Sequence, residues 1–191
     1  MRITMVGAGY VGLVSGACFA DFGHHVICID NDAKKVDALN RGEIPIYEPG
    51  LAELVAGNVK QRRLSFSDDI AAGVRGADVV FIAVGTPSRR GDGHADLSYV
   101  YAAACEVAGA LSDFTVIVTK STVPVGSGDM VENTLRQASR ARGQDMNYRD
   151  ANATRGKAVR AEPCVAAYEQ GRVHQYPQWI QKILPLLKVL V

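Results

Sequence analysis

The residues with the clearest chemical potential are three glycines near the start of the chain, in the segment GAGYVG. Gly7, Gly9 and Gly12 follow a short apolar run and open a segment with helical spacing of apolar residues. The first glycine of such a loop permits a tight turn, the second lets the backbone approach a pyrophosphate, and the third lets helix and strand pack closely. The N–H groups and the dipole at the start of the helix attract phosphate. The spacing therefore predicts a dinucleotide site.

An acidic residue, Asp30, ends the next apolar run, about 20 residues beyond the glycines. A carboxylate there accepts hydrogen bonds from both hydroxyls of an adenosine ribose and repels a 2′-phosphate. No arginine follows directly, so the sequence favours NAD over NADP. The alternative is that the glycines only form a turn and that Asp30 caps the next helix. Lys35, in that helix, is a candidate to contact the ribose or the adenine side of the cofactor. The alternative is that it is a solvated surface lysine.

Two further segments follow apolar runs, VGTP at 84–87 and KSTVPVG at 120–126. Ligands of open α/β sheets bind beyond the carboxyl ends of the strands. Both segments therefore supply candidates to face the cofactor and substrate, namely Gly85, Thr86, Ser121 and Thr122. Capping of helices and turns by the same hydroxyls is the alternative. No histidine has metal-ligand spacing to another ligand, so no metal is predicted.

The elements that must position these residues alternate along the chain as far as residue 143. Strand and helix alternation predicts βαβ units, and hence a Rossmann-type, doubly wound, mainly parallel sheet with helices on both faces. Ser67 is a candidate N-cap for the helix after the third strand. The predicted strands lie at 3–6, 25–30, 64–67, 77–84 and 114–122, and the predicted helices at 10–22, 32–42, 50–57, 68–74, 97–111 and 128–143.

The alternation stops after Gly143. The apolar end WIQKILPLLKVLV has helical character, but Pro185 breaks or kinks a helix there. We therefore expect residues 1–143 to form an incomplete dinucleotide-binding domain and residues 144–191 an irregular or partly helical tail.

The composition is that of an ordinary globular protein, with 48% hydrophobic residues and a net charge of +1. This balance predicts no nucleic-acid or membrane partner. Cys18 and Cys28 lie in apolar runs, which predicts buried free thiols in a reducing compartment. The chain starts without a secretory signal pattern and has no apolar run approaching about 20 residues. These features predict a cytoplasmic protein.

The motifs occur in an order that resembles the UDP-glucose 6-dehydrogenases, within the wider UDP-glucose/GDP-mannose dehydrogenase family. The similar segments are MRITMVGAGYVGLVSGACFADFGHHVICIDND, PIYEPGL, FIAVGTP and VTKSTVPVGSGD. The resemblance implies a two-step oxidation of a nucleotide sugar's C6 alcohol to a carboxylate with two NAD⁺, and an assembly that is usually dimeric or larger. It places Thr122 near the reacting centre, where it would help to position water or a substrate oxygen. The cofactor contacts expected from the motifs and the resemblance together are Gly7, Gly9, Tyr10, Val11, Gly12, Asp30, Lys35, Gly85, Thr86, Pro87, Ser121 and Thr122.

The resemblance ends near residue 143. Family members continue with glutamates that bind NAD and with a sugar-nucleotide half that supplies a lysine, an asparagine and a nucleophilic cysteine. Cys164 lacks the flanking glycines and the Lys-Asp pair of that cysteine motif, so it is not expected to be the catalytic thiol. The break suggests a frame-shifted or truncated product that binds NAD, needs a substrate domain to bind UDP-glucose, and has little activity alone.

Two alternatives to a UDP-glucose 6-dehydrogenase remain open at this point. The chain is either a remnant that binds NAD without chemistry, or part of another NAD-dependent nucleotide-sugar dehydrogenase. A dehydrogenase of hydroxy acids is disfavoured by PIYEPGL and KSTVPVG.

Overall fold

A computed structural model describes residues 1–89, 94–121, 123–124, 127–141 and 143. The chain divides into one unit of Met1–Tyr47 with Leu51–Met146 and a second of Glu48–Gly50 with Asn147–Val191. The predicted tail at 144–191 and Thr122 lie outside the described residues.

The first unit is built on a parallel sheet of five strands in the order β3-β2-β1-β4-β5. β1 pairs with β2 on one side and with β4 on the other. The sheet therefore extends from β1 first through β2 and β3, and then in the opposite direction through β4 and β5. This topology confirms the predicted Rossmann-type, doubly wound fold. The strands are β1 (Arg2–Val6), β2 (His25–Ile29), β3 (Leu64–Ser67), β4 (Val79–Ile82) and β5 (Val116–Thr119).

Helices connect the strands and cover the sheet. Glycines end the first two of them: Gly23 and Gly42 have φ values of 91° and 81°, which are left-handed values that only glycine adopts without strain. At the carboxyl end of the first helix, the N–H of Gly23 donates to the carbonyl of Ala20 and the N–H of His24 donates to the carbonyl of Phe19. These bonds satisfy carbonyls in the last turn of that helix. The helices are α1 (Tyr10–Asp21), α2 (Ala33–Asn40), α3 (Leu51–Lys60), α4 (Ile70–Val74), α5 (Ser98–Ala110) and α6 (Ser127–Arg140).

Two local predictions were wrong. α3 extends to Lys60 rather than ending at Gly57, because buried Asn58 donates to the carbonyl of Leu54 and accepts from Arg63, which holds the last turn together. The N-cap of α4 is Asp69 rather than Ser67: its carboxylate accepts from the N–H of Ala72 at 2.9 Å.

The apolar core lies where the strands are continuously apolar. All four residues of β4 are buried, and Val80 and Ile82 belong to one cluster with residues of α5 and α6. This matches the rule that parallel strands covered on both faces read as unbroken apolar runs. Cys18 and Cys28 are buried free thiols, as predicted. In the part of the chain that is described, no helix combines the length and apolarity that crossing a membrane requires.

Candidate dinucleotide-binding site

The glycine loop runs from the end of β1 to the start of α1, and the protein itself requires two of its glycines. Gly7 has a φ of 107°, and a Cβ there would lie 2.6 Å from the carbonyl oxygen of Ala83. A Cβ on Gly12 would overlap the carbonyl of Gly7. Gly9 is different, because a Cβ there would meet no atom within 4 Å. Nothing in the described protein requires a glycine at that position, whereas a ligand lying against the loop would.

The first turn of α1 is open to a ligand. Its N-cap is Gly9, and no side chain caps the turn. By contrast, α2 and α4 have aspartate N-caps that accept from their first-turn N–H groups. Tyr10 and Val11 are 50% and 42% exposed, which is unusual for large apolar side chains at the start of an otherwise buried helix. The turn therefore presents donors and apolar surface together.

Asp30 is buried at the end of β2, with 8% of its surface exposed. Its Oδ2 accepts from the backbone N–H of Ala8 at 2.9 Å and from Lys35 Nζ at 2.8 Å, and its Oδ1 accepts from the N–H of Asp32 at 3.1 Å. The cap of α2 is Asp32, which accepts from the N–H groups of Lys34 and Lys35. The alternative role for Asp30, capping that helix, is thus filled by another residue.

The segments after β4 and β5 lie at the same edge of the sheet. The Oγ of Ser121 donates to the carbonyl of Val84 at 2.7 Å, and the N–H of Lys120 donates to Ile82 at 2.8 Å. Burial lowers the pKa of Lys120. Thr86 is half-buried, between exposed Gly85 and Pro87. Because Ser121 Oγ donates to the carbonyl of Val84, its hydroxyl proton is engaged with the main chain.

The glycine loop, the segments after β2, β3 and β4, and α5 line a cleft of about 430 Å³ at the carboxyl ends of the strands. Of the predicted contacts, the structure brings together Gly7, Gly9, Asp30, Lys35, Gly85 and Pro87 as lining residues. Gly12 lies buried beneath the loop, while Tyr10, Val11, Thr86 and Ser121 do not line the cleft. All these cofactor contacts stay predictions.

Sequence reasoning missed part of the lining. Asp68 and Ile70 follow β3, so the rule that ligands bind beyond strand ends could have found them. The contribution of α5 had no signal in the sequence, because it depends on how the helix packs. The missed lining residues include Asn31, Asp68, Ile70, Tyr99, Ala102 and Glu106.

The arrangement suits a molecule with a diphosphate and a ribose. The open first turn of α1 offers N–H groups to an anion. A carboxylate has about four acceptor positions, of which Asp30 uses three on protein donors. Lys35 Nζ retains donors beyond its 2.8 Å bond to Asp30. A diol can therefore donate to Asp30 and accept from Lys35.

Comparison with known proteins agrees with this geometry. The chain is 67% identical over 141 residues to the UDP-glucose 6-dehydrogenase of Rhizobium meliloti, an alignment that covers 74% of this chain and 32% of that protein. It is 51% identical over 141 residues to UDP-glucose 6-dehydrogenase TuaD of Bacillus subtilis, covering 74% of this chain and 30% of that protein. The chain thus spans about a third of the length of these relatives.

Two solved structures that resemble this chain are also nucleotide-sugar dehydrogenases. A ternary complex of GDP-mannose dehydrogenase from Pseudomonas aeruginosa superposes with a TM-score of 0.70 at 36% identity, over 76% of this chain and 33% of that one. A UDP-glucose dehydrogenase from Pyrobaculum islandicum superposes with a TM-score of 0.69 at 37% identity, over 75% of this chain and 33% of that one. Residues 1–152 match the family described as "UDP-glucose/GDP-mannose dehydrogenase family, NAD binding domain". The chain therefore belongs to the UDP-glucose/GDP-mannose dehydrogenase family, and the part that matches is the family's NAD-binding domain.

Proposed function

We propose that this chain is the cofactor half of an NAD-dependent UDP-glucose 6-dehydrogenase. The observation that supports this most directly is the hydrogen bond from the N–H of Ala8 to the carboxylate of Asp30. It joins the loop that would hold a diphosphate to the acid that would hold a ribose. The substrate is proposed because relatives at 67% and 51% identity are named UDP-glucose 6-dehydrogenases.

Each group in the cleft has a defined task in this proposal. The N–H groups at the start of α1 bind the diphosphate, and the absence of a Cβ on Gly9 lets it approach. Asp30 accepts from a ribose hydroxyl at its remaining acceptor position and repels a 2′-phosphate, which selects NAD over NADP. Tyr10 and Val11 lie outside the cleft lining, exposed at the first turn of α1, where they would contact the cofactor's outer side. NAD⁺, when bound, supplies the acceptor for a hydride from the sugar alcohol.

The segments after β4 and β5 would lie towards the nicotinamide and the sugar. Gly85, Thr86 and Pro87 belong to the loop that follows β4, and Gly85 and Pro87 line the cleft. Ser121 ties β5 to that loop through the carbonyl of Val84. Thr122 follows directly and remains the candidate for positioning water or a substrate oxygen.

This chain alone is proposed to bind NAD without completing the oxidation. Formation of the acid in this family requires a cysteine nucleophile, and no cysteine lines the described part of the cleft. Loss of a covalent nucleophile costs several orders of magnitude in rate. Formation of UDP-glucuronate by the purified chain from UDP-glucose and NAD⁺ would contradict the proposal.

Calorimetric titration of the 191-residue protein with NAD tests the binding part. We expect the wild type to bind NAD and Gly9→Ala to bind it on the order of tenfold more weakly, because the new methyl group occupies the space needed by the diphosphate. The matched control is Gly57→Ala in α3, where a Cβ also meets nothing within 4 Å. Equal NAD affinity in the wild type and Gly9→Ala, or no binding by the wild type, would overturn the assignment.

A further inference from the structure

A second concave surface, a hollow of about 340 Å³, lies at the amino ends of the strands, away from the cleft at their carboxyl ends. It lies where the amino ends of β1, β2 and β3 meet the ends of α3 and α4. Arg2 begins β1, His25 begins β2 beside it, and Arg63 precedes β3. Arg62 and Arg75 also line it. We call these five residues the basic hollow.

The positive charges of the basic hollow are not neutralised by neighbouring acids. Among the described residues, no carboxylate lies within 4.0 Å of a guanidinium nitrogen of its four arginines. Arg63 donates to the neutral side chain of Asn58, and the guanidinium of Arg2 lies against Gly76. The acid at this edge, Asp78, accepts from the backbone N–H of Arg2. The whole chain has a net charge of only +1, so the positive charge is local.

Binding of the last helix carbonyls does not account for the side chains of these arginines. Basic side chains often bind those carbonyls. Here backbone groups already do so: the N–H of Arg62 donates to the carbonyl of Val59, that of Arg63 to Asn58 and that of Arg75 to Ala71. The guanidinium groups of Arg62 and Arg75 remain available.

Arg62 also adopts a costly backbone conformation. Its φ is 56°, and it is the only residue other than glycine with a positive φ in the described ranges. This conformation strains a residue that has a Cβ, and glycine would avoid that strain. A long cationic side chain is thus held at a position that favours glycine.

We propose that the basic hollow binds a small anion that carries two or more phosphate groups. Guanidinium groups bind phosphate through paired N–H donors, and four arginines line this one concave surface. A compact hollow fits a small polyphosphate better than an extended nucleic acid, which needs a long basic track. The site is separate from the NAD cleft, because the two lie at opposite ends of the same strands.

An NMR titration of the full chain with inorganic triphosphate at low ionic strength tests this proposal. We expect saturable shifts of the backbone amides of His25, Ser65 and Gly76. Arg62→Gly and Arg75→Gln should each weaken binding, and the double variant should weaken it on the order of tenfold or more. Arg62→Gly is expected to keep the fold, because glycine adopts a φ of 56° without strain. The control is Arg41→Gln, since Arg41 pairs with Glu43 outside the hollow.

The outcomes separate this site from the cofactor cleft. Triphosphate that shifts only the amides of Ala8, Gly9 and Tyr10 would show binding at the glycine loop and would overturn the proposal. Equal affinity of the double variant and the wild type would also overturn it, as would tighter binding of a single-stranded oligonucleotide than of triphosphate. Failure of NAD binding would not affect the expected shifts, because the basic hollow shares no residue with the cleft.

Discussion

The carboxylate of Asp30, which follows β2, accepts a 2.9 Å hydrogen bond from the backbone N–H of Ala8, in the loop after β1. A second bond joins the same two strand ends, because the N–H of Gly7 donates to the carbonyl of Ile29 at 2.7 Å. The acid and the loop are therefore held in a set relation before any ligand arrives. Such preorganisation reduces the entropy lost on binding.

Asp30→Asn is expected to lower NAD affinity on the order of tenfold and to narrow the preference for NAD over NADP. The amide oxygen still accepts from Ala8, but the negative charge that repels a 2′-phosphate and pairs with Lys35 is lost. Calorimetric titration with both coenzymes measures the ratio. Asp32→Asn is the control, because asparagine is an equally good N-cap. An unchanged ratio in Asp30→Asn would argue against the assigned role.

Gly12→Ala is expected to destabilise the fold by more than about 3 kcal/mol, because the added methyl group overlaps the carbonyl of Gly7 and only backbone movement can relieve it. Urea unfolding measures the change in the free energy of unfolding. Gly128→Ala in α6 is the control: its Cβ meets nothing within 4 Å, and it should be neutral or slightly stabilising. Equal unfolding midpoints for the wild type and Gly12→Ala would contradict the packing described here.

The thiols are expected to differ in reactivity. Burial raises the pKa of Cys28 to about 12, and burial together with the charge of Asp21 does the same for Cys18. Because the thiolate is the reactive form, iodoacetamide at about pH 8 should modify exposed Cys105 and leave Cys18 and Cys28 intact in the folded protein. Peptide mass spectrometry identifies the sites, with urea-unfolded protein as the control. Rapid labelling of Cys28 in the folded state would contradict its burial.

The same shifts predict a loss of stability at alkaline pH. The folded pKa of about 12 lies above the ordinary value of 9.0, so the unfolded chain releases these protons first. The stabilisation is fully present below pH 9.0 and is lost as the pH rises towards 12. Urea unfolding at pH 8 and pH 10 should show a lower free energy of unfolding at the higher pH. Cys28→Val should reduce this difference, and an identical difference in that variant would contradict the explanation.

Asp69→Ala is expected to cost about 1 kcal/mol of stability, because the first turn of α4 loses the carboxylate that accepts from Ala72. Ser67→Ala should cost less, since the Ser67 hydroxyl accepts only from the N–H of Asp69, before the helix begins. Thermal unfolding of both variants measures the difference. A larger loss in Ser67→Ala would restore Ser67 as the more important residue at this turn.

Local features of the fold could be predicted because their causes lie within a few residues. The apolar runs that form β1, β2 and β4 alternate with helical periodicity, which indicates a parallel sheet. Gly23 ends α1 because it adopts a φ of 91°, a preference of the residue itself. The cap of α4 was harder to assign, since Ser67 and Asp69 are both good capping residues and only backbone geometry chooses between them.

The sequence by itself determined the family, through motifs that resemble those of its members, and the coenzyme, through a glycine loop followed by Asp30 at the expected spacing. Only the tertiary structure decided that β4 lies beside β1, which brings Ala83 against Gly7 and makes that glycine necessary. It also decided that α5 lines the cleft and that arginines from separate segments meet at the opposite edge. These contacts join residues that are distant in the chain, so they depend on strand order and helix packing, which local residue preferences do not specify.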